Sequence, residues 1–223
     1  MLNMNTETFL CCDTPLSEAQ TILFGAPFDS TTSYRPGTRF GSSAIRRESF
    51  GIESYSPYQD RDLEDAFVLD CGDLELCLGD TPFALKQIEL RTAEVMDAEK
   101  RPFMLGGEHL VTLGAFRAVH ARYPDVHIIH FDAHADLRDD YLGAKLSHAC
   151  VLRRCHELTG DGHIFQFGIR SGERAEFLFA QAHTSMQRFS FEGLRKTLDL
   201  LSGKPVYFTL DLDVLDPSVF PGT

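Results

Sequence analysis

The sequence predicts an α/β fold in which a central, mostly parallel sheet carries helices on both faces. Two observations predict it. Short apolar runs rich in Val, Ile and Phe recur along the chain, the pattern of strands buried on both faces. Between them lie longer amphipathic segments, the alternation that parallel strands need for their crossovers. A length of 223 residues fits one large domain spanning 1–223, and 43% hydrophobic with 24% charged residues is ordinary globular composition. Such a chain can bury a sizeable core without staples.

Taken in order, Thr21–Ala26 is an apolar run and reads as a strand, followed by a helix over Gly41–Ser49 and a strand over Ala66–Asp70. A helix over Pro82–Lys100 follows, because Thr81 can cap it, Pro82 suits its first position, and Leu85, Ile88, Thr92 and Val95 share one face. Next come a strand over Pro102–Leu105, a helix over Leu110–Tyr123, a strand over Val126–Phe131 and a helix over Ala149–Leu158. Ile164–Gly168 reads as a strand, Glu173–His183 as a helix and Met186–Phe189 as a strand. Leu194, Leu198 and Leu201 recur at helical spacing within Phe191–Leu201, and Gly203 and Pro205 end that segment before a strand over Val206–Leu210. Repeats, low-complexity tracts and linker-like stretches are absent.

Lys and Arg total 21 against 33 Asp and Glu, a formal charge of −12. That balance argues against nucleic acid and against an anionic membrane as partners, since both need a basic face. It suits cationic ligands or metal ions. The amino terminus from Met1 to Glu7 lacks the basic-then-apolar order of a secretory signal, and no apolar run approaches the roughly 20 residues that span a bilayer. A cytoplasmic location with reduced thiols is the expectation for Cys11, Cys12, Cys71, Cys77, Cys150 and Cys155. A soft-metal reading of Cys155-His156 and His148-Ala149-Cys150 is set aside, because no second Cys/His pair stands at zinc spacing.

The chemistry concentrates at three strand ends. Gly106-Gly107-Glu108-His109 follows one, Asp132-Ala133-His134-Ala135-Asp136 a second, and Asp211-Leu212-Asp213-Val214-Leu215-Asp216-Pro217 a third. In extended backbone Asp132, His134 and Asp136 point to one side, as do Asp211 and Asp213, and the paired glycines let the chain turn His109 over the sheet edge. Ligands gather at the carboxyl ends of parallel strands. Were these strands neighbours, four carboxylates and two imidazoles would converge. Their mutual repulsion and desolvation demand compensation, and two divalent cations would neutralise the four charges. An O/N ligand set without thiolate favours Mn²⁺, and ions roughly 3.5–4 Å apart make a shared water nucleophilic near neutral pH. Taken alone, Asp-x-Asp is an ordinary turn and Gly-Gly-Glu-His an ordinary cap. Together the clusters predict a two-metal hydrolase.

At these residues the sequence resembles the ureohydrolase superfamily of arginases and agmatinases. The resemblance covers nearly the whole chain, with the motifs in the family's order. It implies an arginase-like three-layer α/β/α fold and a site of two Mn²⁺ ions. His109 and Asp136 would bind one ion, His134 and Asp213 the other, and Asp132 and Asp211 would bridge them. Arg35-Pro36-Gly37-Thr38-Arg39-Phe40-Gly41 with Ile45-Arg46 and Tyr55-Ser56-Pro57-Tyr58, and Leu137-Arg138-Asp139-Asp140-Tyr141-Leu142-Gly143 with Leu146-Ser147-His148-Ala149, point to the agmatinase branch. The loop after the metal motif lacks the Asn/Ser/Thr-rich character that arginases use for an amino-acid head group. The implied reaction is hydrolysis of agmatine, a small cationic guanidino substrate, to putrescine and urea, a step of polyamine biosynthesis. Asp136 would accept a hydrogen bond from the attacking water, and His148 matches the family position for shuttling a proton to the leaving amine. His130 reads as a satisfied core histidine, with support of Asp132 as its functional alternative. No role is assigned to His120, His127, His163 or His183.

The resemblance also implies a homo-oligomer, a trimer or hexamer. Another guanidino compound such as guanidinobutyrate is the nearest alternative substrate, since Arg138 and Lys145 could meet a carboxylate. A metallophosphatase is disfavoured, because Gly72-Asp73 precedes Asp132-Ala133-His134 and the glycine-histidine element carries Glu108. Ureohydrolases usually continue beyond the equivalent of Thr223 with a further strand, a glutamate for the guanidinium and terminal helices. The expectation is therefore a domain lacking its C-terminal part, with exposed strand edges, and a non-catalytic metal-binding fragment stands as the alternative.

Overall fold

The computed structural model describes residues 7–221. The readings placed on Met1–Thr6 and on Gly222 and Thr223 lie outside it. The chain divides into two compact units, Met1–Val111 and Thr112–Thr223.

The first unit is built on three parallel strands. β1 (Thr21–Ala26), buried along its whole length, lies between β4 (Val68–Asp73) and β5 (Arg101–Gly106). Its central position explains the uninterrupted apolar run, since both faces and both edges are covered. α1 (Gly41–Ser49) follows β1, and a short antiparallel pair, β2 (Tyr55–Ser56) and β3 (Arg61–Asp62), precedes β4. The strand expected from Ala66 begins at Val68 instead. Leu63–Ala66 forms a 3-10 turn, and Phe67 takes a left-handed backbone with φ of 50° that resets the chain into β4. α2 (Thr81–Asp97) buries Leu85, Ile88, Thr92 and Val95 as its periodicity requires. Its cap is Asp80 rather than Thr81, the Asp80 carboxylate accepting from the Phe83 N–H at 3.0 Å. Ala19, Ile22, Phe24 and Val95 form the core, with Leu69, Leu74 and Met104 packed on it.

In the second unit four strands run parallel in the order β8 (Ser185–Arg188), β7 (Ile164–Ile169), β6 (His127–Phe131) and β9 (Val206–Leu210). The connections are α3 (Val111–Arg122) before β6, α4 (Val151–Thr159), α5 (Arg174–His183) and α6 (Leu194–Leu200). Helix α6 starts three residues later than its leucine spacing suggested, because Phe191 turns into the core. Phe191 packs edge-on against Phe131 at 4.9 Å and stacks with Phe167 at 6.1 Å. Ile129, Phe165, Phe167 and Leu201 form the buried cluster beneath. Gly168 has φ of 84°, where the ladder shifts register, and a Cβ there would stand 2.7 Å from Val214. Edge strand β9 leaves Val206, Phe208 and Leu210 exposed. No helix among the described residues is long and apolar enough to cross a membrane.

Candidate metal centre

In the first unit Gly107, the second of the paired glycines, acts through space rather than conformation. A Cβ on Gly107 would lie 2.0 Å from the Phe28 carbonyl oxygen, so only glycine lets this segment run against Ala26–Phe28. Gly107 N–H donates to Ala26 at 3.1 Å and Glu108 N–H to Phe28 at 2.7 Å, which fixes the backbone leading into His109. The buried Glu108 carboxylate accepts from the Thr31 N–H at 2.9 Å and from its hydroxyl. Burial pushes its carboxyl above the ordinary range despite those bonds. Nearby, Asp29 accepts from the Gly37 N–H at 2.7 Å and pairs with Arg39. Arg46 reaches Asp70 at 2.7 Å and also pairs with Asp73. Arg39 and Arg46, two of the three arginines in the Arg35–Arg46 stretch, therefore hold this unit together.

The second unit gathers the remaining acidic cluster. β6 ends at Phe131, and the chain beyond it stays alongside β7: Arg170 and Ser171 N–H groups both donate to the Ala133 carbonyl at 2.8 Å, and Ala135 N–H to Ser171 at 3.1 Å. Asp132 and His134 bring donor atoms to one common set, on the same side as the period-two pattern predicts, and the intervening Ala133 is buried. Asp136 departs from that pattern. Its φ is 52°, a left-handed turn that ends the extended run, and its carbonyl accepts from Leu152 N–H at 3.0 Å and Arg153 N–H at 3.3 Å in the first turn of α4. Asp211 and Asp213 also depart from simple alternation. Leu212–Val214 is a 3-10 turn in which the Asp211 carboxylate accepts from Asp213 N–H at 3.1 Å. The short polar side chain caps the turn, and that competes with extended backbone.

Two sets of donor atoms converge within this unit. In one, ligand atoms of His130, Asp132 and Asp136 lie within 4.8 Å of one another; in the other, those of Asp132, His134 and Asp213 do. Asp132 is common to both. His134 Nδ1 stands 2.8 Å from Asp213 Oδ2 and 3.6 Å from Asp132 Oδ1. The Asp132 and Asp213 carboxylates, against the opposing effect of burial, push the His134 imidazole up to about 11. The field here stabilises positive charge strongly. Oxygen and imidazole donors without thiolate fit a hard or borderline divalent cation. His109 belongs to the first unit, and Asp211 and His148 fall outside these two sets. His148 begins the 3-10 turn His148–Cys150, 3.3 Å from Ser147 Oγ and edge-on to Tyr141 at 5.4 Å.

Around these sets stand His130 and Arg138, which the sequence singles out, and Gln166, Arg170 and Glu176, which it does not. His130, fully buried, places Nε2 2.8 Å from Asp132 Oδ2, while its Nδ1 lies 3.0 Å from the Gln166 side-chain amide nitrogen. That amide also donates to the Ala135 carbonyl at 2.9 Å, so its nitrogen faces this way and His130 Nδ1 accepts. The proton therefore sits on Nε2, aimed at Asp132. Both readings of His130 hold: it is a core histidine, and it supports Asp132. Arg170 donates to the carbonyls of Asp213, Val214 and Leu215, and its own backbone joins it to Ala133. Glu176, buried in the first turn of α5, accepts from Leu137 N–H at 2.9 Å and Glu173 N–H at 2.7 Å. Arg138 pairs with Glu173 at 3.0 Å and Glu176 at 3.4 Å and lies over the Tyr141 ring. Its guanidinium is thus committed within the chain, contrary to its expected availability for a substrate carboxylate. Gln166 carried a sequence signal, being the polar residue in an apolar strand run.

Against known proteins, the profile of the arginase family matches residues 19–223. The agmatinase of Bacillus subtilis is 46% identical over 219 residues and that of Bacillus cereus 44% over 220, each match covering 97% of this chain and 76% of the relative. A crystal structure from Clostridium difficile, of a protein assigned as an agmatinase, superposes with a TM-score of 0.91 at 52% identity, covering 94% of this chain and 76% of that one. With its fold and its sequence both matching, the chain belongs to the arginase family of ureohydrolases.

Proposed function

We propose that the protein hydrolyses agmatine to putrescine and urea, using two Mn²⁺ ions held by His109, Asp132, His134, Asp136, Asp211 and Asp213. The observation that supports this reading best is Asp132, the one carboxylate common to two converging donor sets, as a residue bridging two cations would be. His109 and Asp211 are included because the motifs that carry them resemble those of the family. Bound ions supply Lewis acidity and offset the charge of the clustered carboxylates. The protein's own groups do the rest.

The guanidinium carbon is resonance-stabilised, so attack needs a positioned water and departure of the amine needs a proton. Asp136 holds the hydrogen of the attacking water at its carboxylate, which its left-handed backbone and the first turn of α4 keep in place. His148 delivers the proton to the departing amine, its ring oriented by Ser147 and Tyr141. Agmatine is favoured over a guanidino acid because Arg138 is engaged by Glu173 and Glu176. The test is urea release by the Mn²⁺-reconstituted protein from agmatine, arginine and 4-guanidinobutyrate, with chelator-treated protein as control. Release from agmatine, abolished by chelation, is expected. Urea from guanidinobutyrate alone, or from none of the three in a folded, manganese-loaded protein, would overturn the proposal.

A further inference from the structure

Away from the acidic centre, His156 in the last turn of α4 and His183 at the end of α5 address one carboxylate. His156 Nε2 and His183 Nδ1 each lie 2.8 Å from the same atom, Asp161 Oδ1. The ligand atoms of the three residues all fall within 4.8 Å of one another. We propose that His156, Asp161 and His183 form a separate site for a Zn²⁺-class divalent cation, clamping the ends of α4 and α5 together.

Geometry is close to what such an ion needs. Tetrahedral zinc with bonds of about 2.0–2.1 Å separates neighbouring ligand atoms by about 3.3–3.4 Å, so each nitrogen–oxygen distance must open by only about half an ångström. Asp161 sits between Gly160 and Gly162, whose φ values of 74° and 81° make a tight turn straight after α4 and return the carboxylate beneath His156. Phe179 packs against both imidazoles, edge-on to His156 at 4.9 Å and tilted against His183 at 4.3 Å, which limits their rotamers before any ion arrives. Two helices direct their C-terminal ends here, and their dipoles add to the carboxylate in favouring a cation. His156 is mostly covered, whereas Asp161 is 65% exposed, so ions have access and water can complete the shell. Two nitrogens and one oxygen suit zinc better than manganese, which prefers oxygen-rich sets. The sequence hides this site because its ligands come from two helices and a turn, not from one spaced motif.

The site stands apart from the agmatine reading and can fail independently of it. The test counts zinc in the manganese-loaded protein after dialysis against buffered free Zn²⁺, comparing wild type with His183→Gln and Asp161→Asn. Both substitutions fall at the more exposed ligands, and circular dichroism checks that each variant is folded. The wild type should hold about one more zinc per chain than either variant. Zinc should raise its melting temperature and not theirs, and a zinc-edge anomalous peak should lie between the three side chains. Manganese-dependent urea release should be the same in all three proteins. Equal zinc counts in folded variants, or zinc-soaked crystals without that peak, would overturn the proposal.

Discussion

Replacing Gln166 with Met tests how the bridging carboxylate is held. The side chain is fully buried and makes three hydrogen bonds: to His130 Nδ1 at 3.0 Å, to the Ala135 carbonyl at 2.9 Å, and from the Thr184 hydroxyl at 3.1 Å. Methionine keeps the length and removes all three. At about 1 kcal/mol net for each, the variant should lose about 3 kcal/mol, and more where a partner is left dry. For a chain of this size that corresponds to a fall of about 6–12 °C in melting temperature. A purely structural glutamine would do no more. The geometry requires a second effect, because the amide is what holds the proton of His130 on Nε2, facing Asp132. Without it the imidazole can take the other tautomer and leave Asp132 Oδ2 without its donor. Manganese affinity, followed by calorimetry at a temperature where the variant is folded, should fall about 10–100-fold. Unchanged affinity in a folded Gln166→Met protein would refute the tautomer argument. An unchanged melting temperature would refute the energetics as well.

Arg46→Met should destabilise the first unit by about 3–5 kcal/mol, because it leaves the buried Asp70 carboxylate without its cation. The double variant Arg46→Met/Asp70→Leu should recover much of that loss in a urea titration, and a double variant as unstable as the two single losses added together would count against a buried charge as the cause. His127 is buried and stacked on His163 at 4.6 Å, and burial followed by repulsion from His163 and Lys204 holds its pKa below the ordinary 6.5. The unfolded chain then takes up the proton first, so this contribution to stability is complete above about pH 6.5 and is lost as the pH falls below it. The wild-type melting temperature should drop more steeply than that of His127→Phe between about pH 8 and 5.5; parallel curves would exclude it. Burial pushes the thiols of Cys12 and Cys150 up to about 11, and that of Cys155 higher still, while Cys71 is exposed. Brief iodoacetamide treatment near neutral pH should therefore label Cys71 and spare the other three by mass spectrometry.

The elements that sequence described well are those governed by one period. β1, α1 and β9 occupy the expected residues because each is a run of uniform hydrophobic character or helical spacing with clear breakers at its ends. The misplacements occur where a local side chain decides. Asp80 outcompetes Thr81 as a cap, Phe67 turns left-handed before β4, and Phe191 leaves the helical register to join the Phe131 and Phe167 rings. None of these follows from hydrophobic spacing. Phe191 depends in addition on partners that the fold supplies from elsewhere.

The acidic centre divides along the same line. Its ligand candidates were legible because carboxylates and imidazoles at the end of an apolar strand need compensation that the strand itself cannot give. Their orientation was not, since extended alternation holds for Asp132 and His134 and breaks at Asp136. That break has identifiable causes. The left-handed Asp136 presents its carbonyl to α4, and the next residue, Leu137, gives its N–H to Glu176 at the start of α5. Glu176 is drawn there by its capping box with Glu173 and by Arg138. Asp136 is therefore aimed by two helices that begin 15 and 38 residues later in the chain. A substitution at Glu176 should therefore disturb the centre without touching a ligand, read as a loss of manganese affinity in a folded Glu176→Gln protein.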